Sequence, residues 1–308
     1  MSDASLWHTV MAALQERGWH ARVVSADHLD DLRARLQRVL TSGELPDEVA
    51  NEVAPKPGFR LPDDAPAPRS VVVAALGRPL TQATLTLGGT ERTVPVPPHY
   101  AGYHTQPAEM VRIVAEVLAA AGHGATRFDP PLKTLAACAG LARYGRNNIA
   151  YVAGLGSYHE LAACVTDAPP PADAVWGEPQ VLARCMSCVA CLRACPTGAI
   201  DGDRFLLRTE RCLTYLNESE APFPDWVRPE WHTCAVGCLG CQQVCPENVD
   251  PGLTVAAPEH FDERESAAIL AADKNASFSA ATRTKLERCG LDYSAELIAR
   301  NLRAALGV

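Results

Sequence analysis

The chain has 308 residues, 47% of them hydrophobic, and a formal charge of −8. Such a length suits two domains, or one with an insertion, and the apolar content supports a packed interior and excludes wholesale disorder. The acidic balance counts against a protein that grips nucleic acid mainly through its phosphates, although a local basic patch stays open. MSDASLWHTVMAALQERGW lacks the basic region and cleavage site of a secretion signal, and no apolar run nears the roughly 18 residues that span a bilayer. A soluble cytoplasmic protein with no membrane partner is therefore expected.

In chain order, Leu6, Val10, Met11 and Leu14 fall at helical spacing before Gly18. A short apolar run at 22–24 ends in Ser25, a suitable N-cap for a second helix striped by Leu29, Leu32 and Leu36. Residues 54–69, rich in proline, read as a loop. SVVVAAL, from Ser70 to Leu76, reads as a strand buried on both faces. Leu85 and Leu87, the Gly88-Gly89 turn, and Val94 and Val96 predict a hairpin. Met110, Ile113, Val114, Val117 and Leu118 mark an amphipathic helix over 108–121, closed by Gly122. A further helix is expected over 133–141 and two strands over 148–165, around Gly154 and Gly156. Mixed strands and helices to residue 167 predict an α/β (α+β) domain. DAPPPADAVWGEP (167–179) reads as a linker. These breaks divide the chain into an α/β domain over 1–170, a cysteine-rich module over 181–250 and a short helical C-terminal tail over 251–308.

Nine of the twelve cysteines crowd into 185–245. In a reducing compartment that clustering points to metal binding, not to disulfides. The first group is Cys185-x2-Cys188-x2-Cys191-x3-Cys195-Pro196, and the second is Cys238-x2-Cys241-x3-Cys245-Pro246. This is the bacterial two-cluster ferredoxin pattern: the x2 steps wrap one 4Fe–4S cluster, while the x3 step and proline send the last thiol to the other. Zinc would need four ligands per site and no such exchange. The pattern assigns Cys185, Cys188, Cys191 and Cys245 to one cluster. The other takes Cys195, Cys212, Cys238 and Cys241, and Cys234 is left over. Cys234 also begins a CxxxCxxC run of the radical-SAM kind, but too little chain follows it to build a barrel.

CMSCVACLRACPTGAI, ERCLTYLNESE and GCLGCQQVCPEN together resemble the two-cluster module of the epoxyqueuosine reductases. Upstream, PPHYAGYH and PLKTLAACAGLARYGRNNIAYVAGLGSYHELAACV are similar to further segments of that family, so the likeness covers most of residues 70–250. It implies a nitroreductase-like α/β domain holding cobalamin base-off, with the clusters relaying single electrons to cobalt from an external donor such as a flavodoxin or ferredoxin. Corrinoid reductive dehalogenases share that plan. The implied activity is reductive cleavage of a C–O or other C–heteroatom bond. The family's helical repeats for tRNA have no counterpart here, and with the acidic balance this favours a smaller substrate; a tRNA substrate stays open as the alternative. So does a plain electron carrier. No DxHxxG cobalamin motif occurs, which suits base-off binding or no corrin, and the fold class is also known for flavin.

Outside the cysteines, the resemblance points to Asp129 as proton donor, although its spacing to Gly140 is shorter than in the family. Burial would raise its pKa for that task, whereas its place before Pro130 equally suits a turn. Tyr144 is the alternative acid. Arg127, Lys133, Arg143 and Arg146 stand in a stretch where Asp129 is the only acid, suited to an anionic ligand or to a solvated helix end. In Arg143-Tyr144-Gly145-Arg146-Asn147-Asn148, glycine among polar residues suggests close approach of backbone to cofactor. Tyr100, Tyr103 and His104 either line the same pocket or pack on the helix that follows. Cys138 and Cys164 read as buried small hydrophobes.

Overall fold

The computed structural model describes residues 3–53, 61, 63, 67–103, 105–249 and 253–308. Most of the proline-rich loop, His104 and Asp250 lie outside them. The chain forms two compact units, one from residues 1–77 and 104–188, the other from 78–103 and 189–308.

The first unit opens with α1 (Asp3–Glu16), β1 (Trp19–Ser25), α2 (Leu29–Leu40), α3 (Asp47–Val53) and β2 (Ser70–Gly77). The chain then builds β3 (Thr81–Leu87) and β4 (Thr90–Val96) of the second unit. It resumes the first with α4 (Thr105–Ala119), β5 (Ala125–Arg127), α5 (Leu132–Cys138), β6 (Ala142–Tyr144), β7 (Ala150–Val152) and β8 (His159–Thr166). The remainder of the second unit comprises α6 (Ala190–Ala194), α7 (Leu213–Glu218), α8 (Gly240–Gln243), β9 (Glu259–Phe261), α9 (Glu263–Leu270), α10 (Ala280–Cys289) and α11 (Ala295–Leu306).

In the first unit an antiparallel sheet runs in the order β1-β2-β8-β5. Its central strands, β2 and β8, are buried along most of their length because both faces are covered. The pleat sends Val72, Ala74, Ala162 and Cys164 to one side, where they meet Leu6, Val10 and Leu14 of α1 and Met110, Val114 and Leu118 of α4. Val71, Val73, Ala163 and Val165 face the other side, against Leu29 and Leu32 of α2 and Leu135 and Ala136 of α5. Residues 167–179 are no free linker. Trp176 stacks on His28 at 4.8 Å and donates to Asp31, while Glu178 pairs with Arg35 at 2.8 Å. These contacts tie the segment to α2, and the unit continues to Cys188.

The second unit has a sheet ordered β4-β3-β9, with β9 parallel to β3. Gly88 and Gly89 both take positive φ, 57° and 76°, which closes the β3–β4 turn in the form that matches strand twist. The hairpin residues Ala83, Leu85, Val94 and Val96 share a core with Phe261, Ile269, Leu286, Ile298 and Leu302. The units therefore differ from the linear division expected. The hairpin belongs with the cysteine module, and residues 253–308 supply a strand and three helices to its core instead of a tail. Long-range apolar pairing decides this, and no local pattern carries it.

Candidate metal centre

The doubled cysteine motif is visible as doubled backbone. α6 carries Cys191 and ends at Cys195, whose φ and ψ are −75° and 109°. Near α8, which carries Cys241, Cys245 takes −77° and 122°. A following proline disfavours the helical region for the preceding residue, so Pro196 and Pro246 turn the chain away just after each cysteine. Cys212, at the start of α7, adopts the same extended form, −74° and 124°, without a proline. α6 and α8 pack on each other.

Side chains from the C-terminal helices and the hairpin position these loops. Asn301 of α11 donates to the Asn217 carbonyl at 2.8 Å, and Asn217 of α7 donates to the Gly237 carbonyl at 2.7 Å. Gly237 has φ of 62°, and a side-chain carbon there would come within 2.7 Å of the Tyr100 ring. Glycine is thus required next to Cys238.

None of the twelve cysteines is in a disulfide. Burial is the main influence on Cys238 and pushes its thiol up to about 12, against a hydrogen bond from the Gly240 amide at 3.4 Å; charges on Cys234, Cys212 and Cys195 add to the rise. Cys212 is also raised, by burial first, with Cys195 contributing and the amides of Tyr215 and Thr214 opposing. At Cys195 burial is outweighed by the Thr197 hydroxyl and the amides of Ile200, Ala199 and Thr197, which hold the thiol below its usual range. Negative charge on Cys195 thus bears on both Cys212 and Cys238. Bound iron removes that penalty, and N–H groups aimed at sulfur are the usual surroundings of a cluster. Thiolates are the donors that a 4Fe–4S cluster takes, and spacing names Cys241 on α8 as the fourth. Cys234 is fully buried, its thiol pushed up to about 11 by that burial, and lies near enough to influence Cys238.

Of the other assigned set, Cys185 and Cys188 close the first unit, and Cys191 and Cys245 belong to the second. Cys185 sits in a 3-10 turn over Ala183–Met186, where its amide donates to Leu182 and that of Cys188 to Arg184. The Arg146 amide donates to Cys185 Sγ at 3.4 Å. Its guanidinium donates to the Cys185 carbonyl and, at 3.2 Å, to that of Cys188. Arg146, assigned to a corrin from sequence, thus binds the cysteine loop.

The remaining candidates separate. Tyr144, Arg146 and Asn147 come together where β6 turns into β7, and Lys133 reaches that turn by donating to the Asn148 carbonyl at 3.1 Å. Within the turn Gly145 and Ile149 pair at 2.8 Å, and Asn148 takes φ of 57°. A side-chain carbon at Gly145 would run into Asn147 and the Tyr151 ring, so Gly145 serves packing. Asn147 is buried, donating to the Tyr151 hydroxyl at 3.0 Å. Tyr144 is buried with its hydroxyl 3.1 Å from that of Thr134, and burial raises its pKa. Arg143 is exposed, on the strand face opposite Ala142 and Tyr144. Asp129 does not meet the expectation of burial: its side chain is 49% exposed and pairs with Arg127 at 2.9 Å. Tyr100 and Tyr103 belong to the second unit. Tyr100 packs in its core and donates to Glu218, and Tyr103 is exposed. Of the residues expected at a corrin, Lys133, Arg143, Arg146 and Asn147 belong to the first unit and Tyr100 and Tyr103 to the second. Sequence reasoning missed Thr197 and Tyr151. A hydroxyl two residues after Cys195 was the available signal for the first; the second has none, since its partner is met only across the turn.

Residues 184–248 match the 4Fe-4S double cluster binding domain. The chain is 35% identical over 134 residues to the epoxyqueuosine reductase of Escherichia coli (strain K12), covering 43% of this chain and 33% of that protein. With the epoxyqueuosine reductase of Staphylococcus aureus (strain NCTC 8325 / PS 47) it is 27% identical over 238 residues, covering 73% and 59%. The fold matches a crystal structure of epoxyqueuosine reductase with a tRNA-Tyr epoxyqueuosine-modified stem loop, at a TM-score of 0.65 and 20% identity over 99% of this chain and 82% of that one. These sequence matches span about a third and 59% of the length of the two curated relatives. The chain carries a double 4Fe–4S cluster domain on a mixed α/β fold, and epoxyqueuosine reductases are among its homologues.

Proposed function

We propose that the chain is an iron–sulfur oxidoreductase of the epoxyqueuosine reductase kind, acting on the epoxide of epoxyqueuosine in tRNA. The observation that carries this is the doubled cysteine run from Cys185 to Cys245, which lies in a stretch that matches a double-cluster domain, in a chain that matches proteins of that enzyme's name. Cys195, Cys212, Cys238 and Cys241 hold one cluster, and Cys185, Cys188, Cys191 and Cys245 the other. The two supply electrons one at a time from a flavodoxin or ferredoxin. The nitroreductase-like α/β unit takes cobalamin, whose chemistry when bound is low-potential reduction at cobalt. Breaking a C–O bond reductively also requires a proton for the departing oxygen. The Tyr144 hydroxyl is the better holder of that proton: burial keeps it a neutral phenol, whereas Asp129 is solvated and ion-paired. Twelve cysteines, none in a disulfide, favour the reducing cytoplasm. Among the described residues no helix is long and apolar enough to cross a membrane.

The charge of −8 favours a second reading, the same chemistry on a smaller substrate. Anaerobic reconstitution with iron and sulfide, a hydroxocobalamin titration, and an electrophoretic shift with epoxyqueuosine-bearing tRNA at two salt concentrations test the proposal. Iron uptake, a corrin spectrum and a salt-sensitive tRNA complex support the tRNA enzyme. Corrin binding without tRNA binding supports the smaller substrate. Iron uptake with no response to corrin leaves an electron carrier.

A further inference from the structure

The β6–β7 turn is built rigidly against the first cysteine loop. Its backbone is fixed on three sides, by the Gly145–Ile149 bond at 2.8 Å, by the Asn148 amide on the Gly145 carbonyl at 3.0 Å, and by the buried Asn147–Tyr151 pair at 3.0 Å. So fixed, the turn directs the Arg146 amide at Cys185 Sγ, 3.4 Å away. The side chain then folds over the same loop, and one guanidinium bonds to the carbonyls of Cys185 and Cys188. Two groups of one residue therefore bear on the cysteine loop, an N–H dipole at a sulfur and a full positive charge at two carbonyls.

We infer that Arg146 is the positioning residue of the Cys185–Cys188 loop and that it raises the reduction potential of the cluster held there. This rests on the two-cluster reading of the preceding section. The physical reason is charge. Uptake of one electron makes a thiolate-ligated cluster more negative, and hydrogen bonds to sulfur and nearby positive charge favour that state. The planar fork of arginine matters as well, because it satisfies two carbonyls with one rigid group. A lysine keeps the charge but not the fork. The residue thus ties the β6–β7 turn to the cysteine loop of its own unit.

The test compares the full-length reconstituted protein with its Arg146→Gln and Arg146→Lys variants. Iron content is measured, together with potentiometric titration against dithionite followed by electron paramagnetic resonance. Expected is a fall in the potential of one cluster in Arg146→Gln, partly restored in Arg146→Lys, with the other cluster unmoved. Loss of one cluster's iron in Arg146→Gln also supports the positioning role, provided the Lys variant keeps its iron and titrates below wild type. Both clusters retained at wild-type potentials in Arg146→Gln would overturn the inference and leave the proposed reductase standing. Wild-type protein that takes up no iron would overturn both.

Discussion

The cysteine loops and the β6–β7 turn are the two chemically richest stretches of the molecule, and they differ in how their residues are used. In the loops, backbone amides gather round Cys195 and Cys238, with the Thr197 hydroxyl beside Cys195. In the turn, most polar side chains serve structure. Asn147 braces Tyr151, Lys133 braces Asn148, and Arg146 turns to Cys185. Ligation by softly bonded metal fixes residue type and spacing together, whereas a polar side chain near a pocket can find its partner inside the protein.

Substitutions that remove a ligand separate the two regions most sharply. Cys212→Ser or Cys238→Ala is expected to abolish one cluster, halving iron per chain in anaerobic analysis and eliminating turnover, because each sulfur is one of four that the cluster needs. Tyr144→Phe, by contrast, should leave iron content unchanged and lower kcat by about 10²–10⁴, the usual weight of a positioned acid. A wild-type kcat in that variant would return the role to Asp129. Core packing in the second unit is tested by Leu85→Ala, expected to cost about 2–5 kcal/mol by denaturant midpoint, since Leu85 is fully buried among the C-terminal helices. A loss near zero would contradict placing the hairpin in that core.

A smaller effect comes from His159, buried beside the Gly156 carbonyl, whose pKa burial lowers from 6.5 to about 4. The unfolded chain binds this proton more readily, so the contribution is fully present above about pH 6.5 and is lost as pH falls towards 4. At about 1.4 kcal/mol per pH unit, that amounts to roughly 3 kcal/mol, seen as a decline in stability that His159→Gln should flatten. Thr197→Val should have the smallest effect, a modest fall in one cluster's potential with iron content intact, through loss of the hydroxyl beside Cys195.

Much of the first unit was legible because its signals are local. Leu6, Val10 and Leu14 repeat at the helical period, and β2 is apolar on both pleats because helices cover both faces. The placement of the hairpin was not legible. Ala83 and Leu85 meet Phe261, Ile269 and Ile298, far along the chain, and alternation within a strand shows that a face is buried without showing what buries it. The same holds for Trp176, whose anchoring on His28 and Asp31 converts an apparent linker into part of the first unit. For the candidate site, cysteine spacing carried the ligand assignment, while the surroundings of Asp129 and Tyr100 were not legible. Before a proline an aspartate reads alike whether buried or paired at the surface, and Tyr100 reads alike whether it faces a ligand or Glu218.

The central claim is that one chain holds two cubane clusters through eight cysteines. Iron and acid-labile sulfide measured on anaerobically reconstituted protein, with electron paramagnetic resonance after reduction, test it most directly. About eight irons and eight sulfides per chain, with two reducible 4Fe–4S signals, are predicted. Four irons, or zinc in their place, would contradict the account.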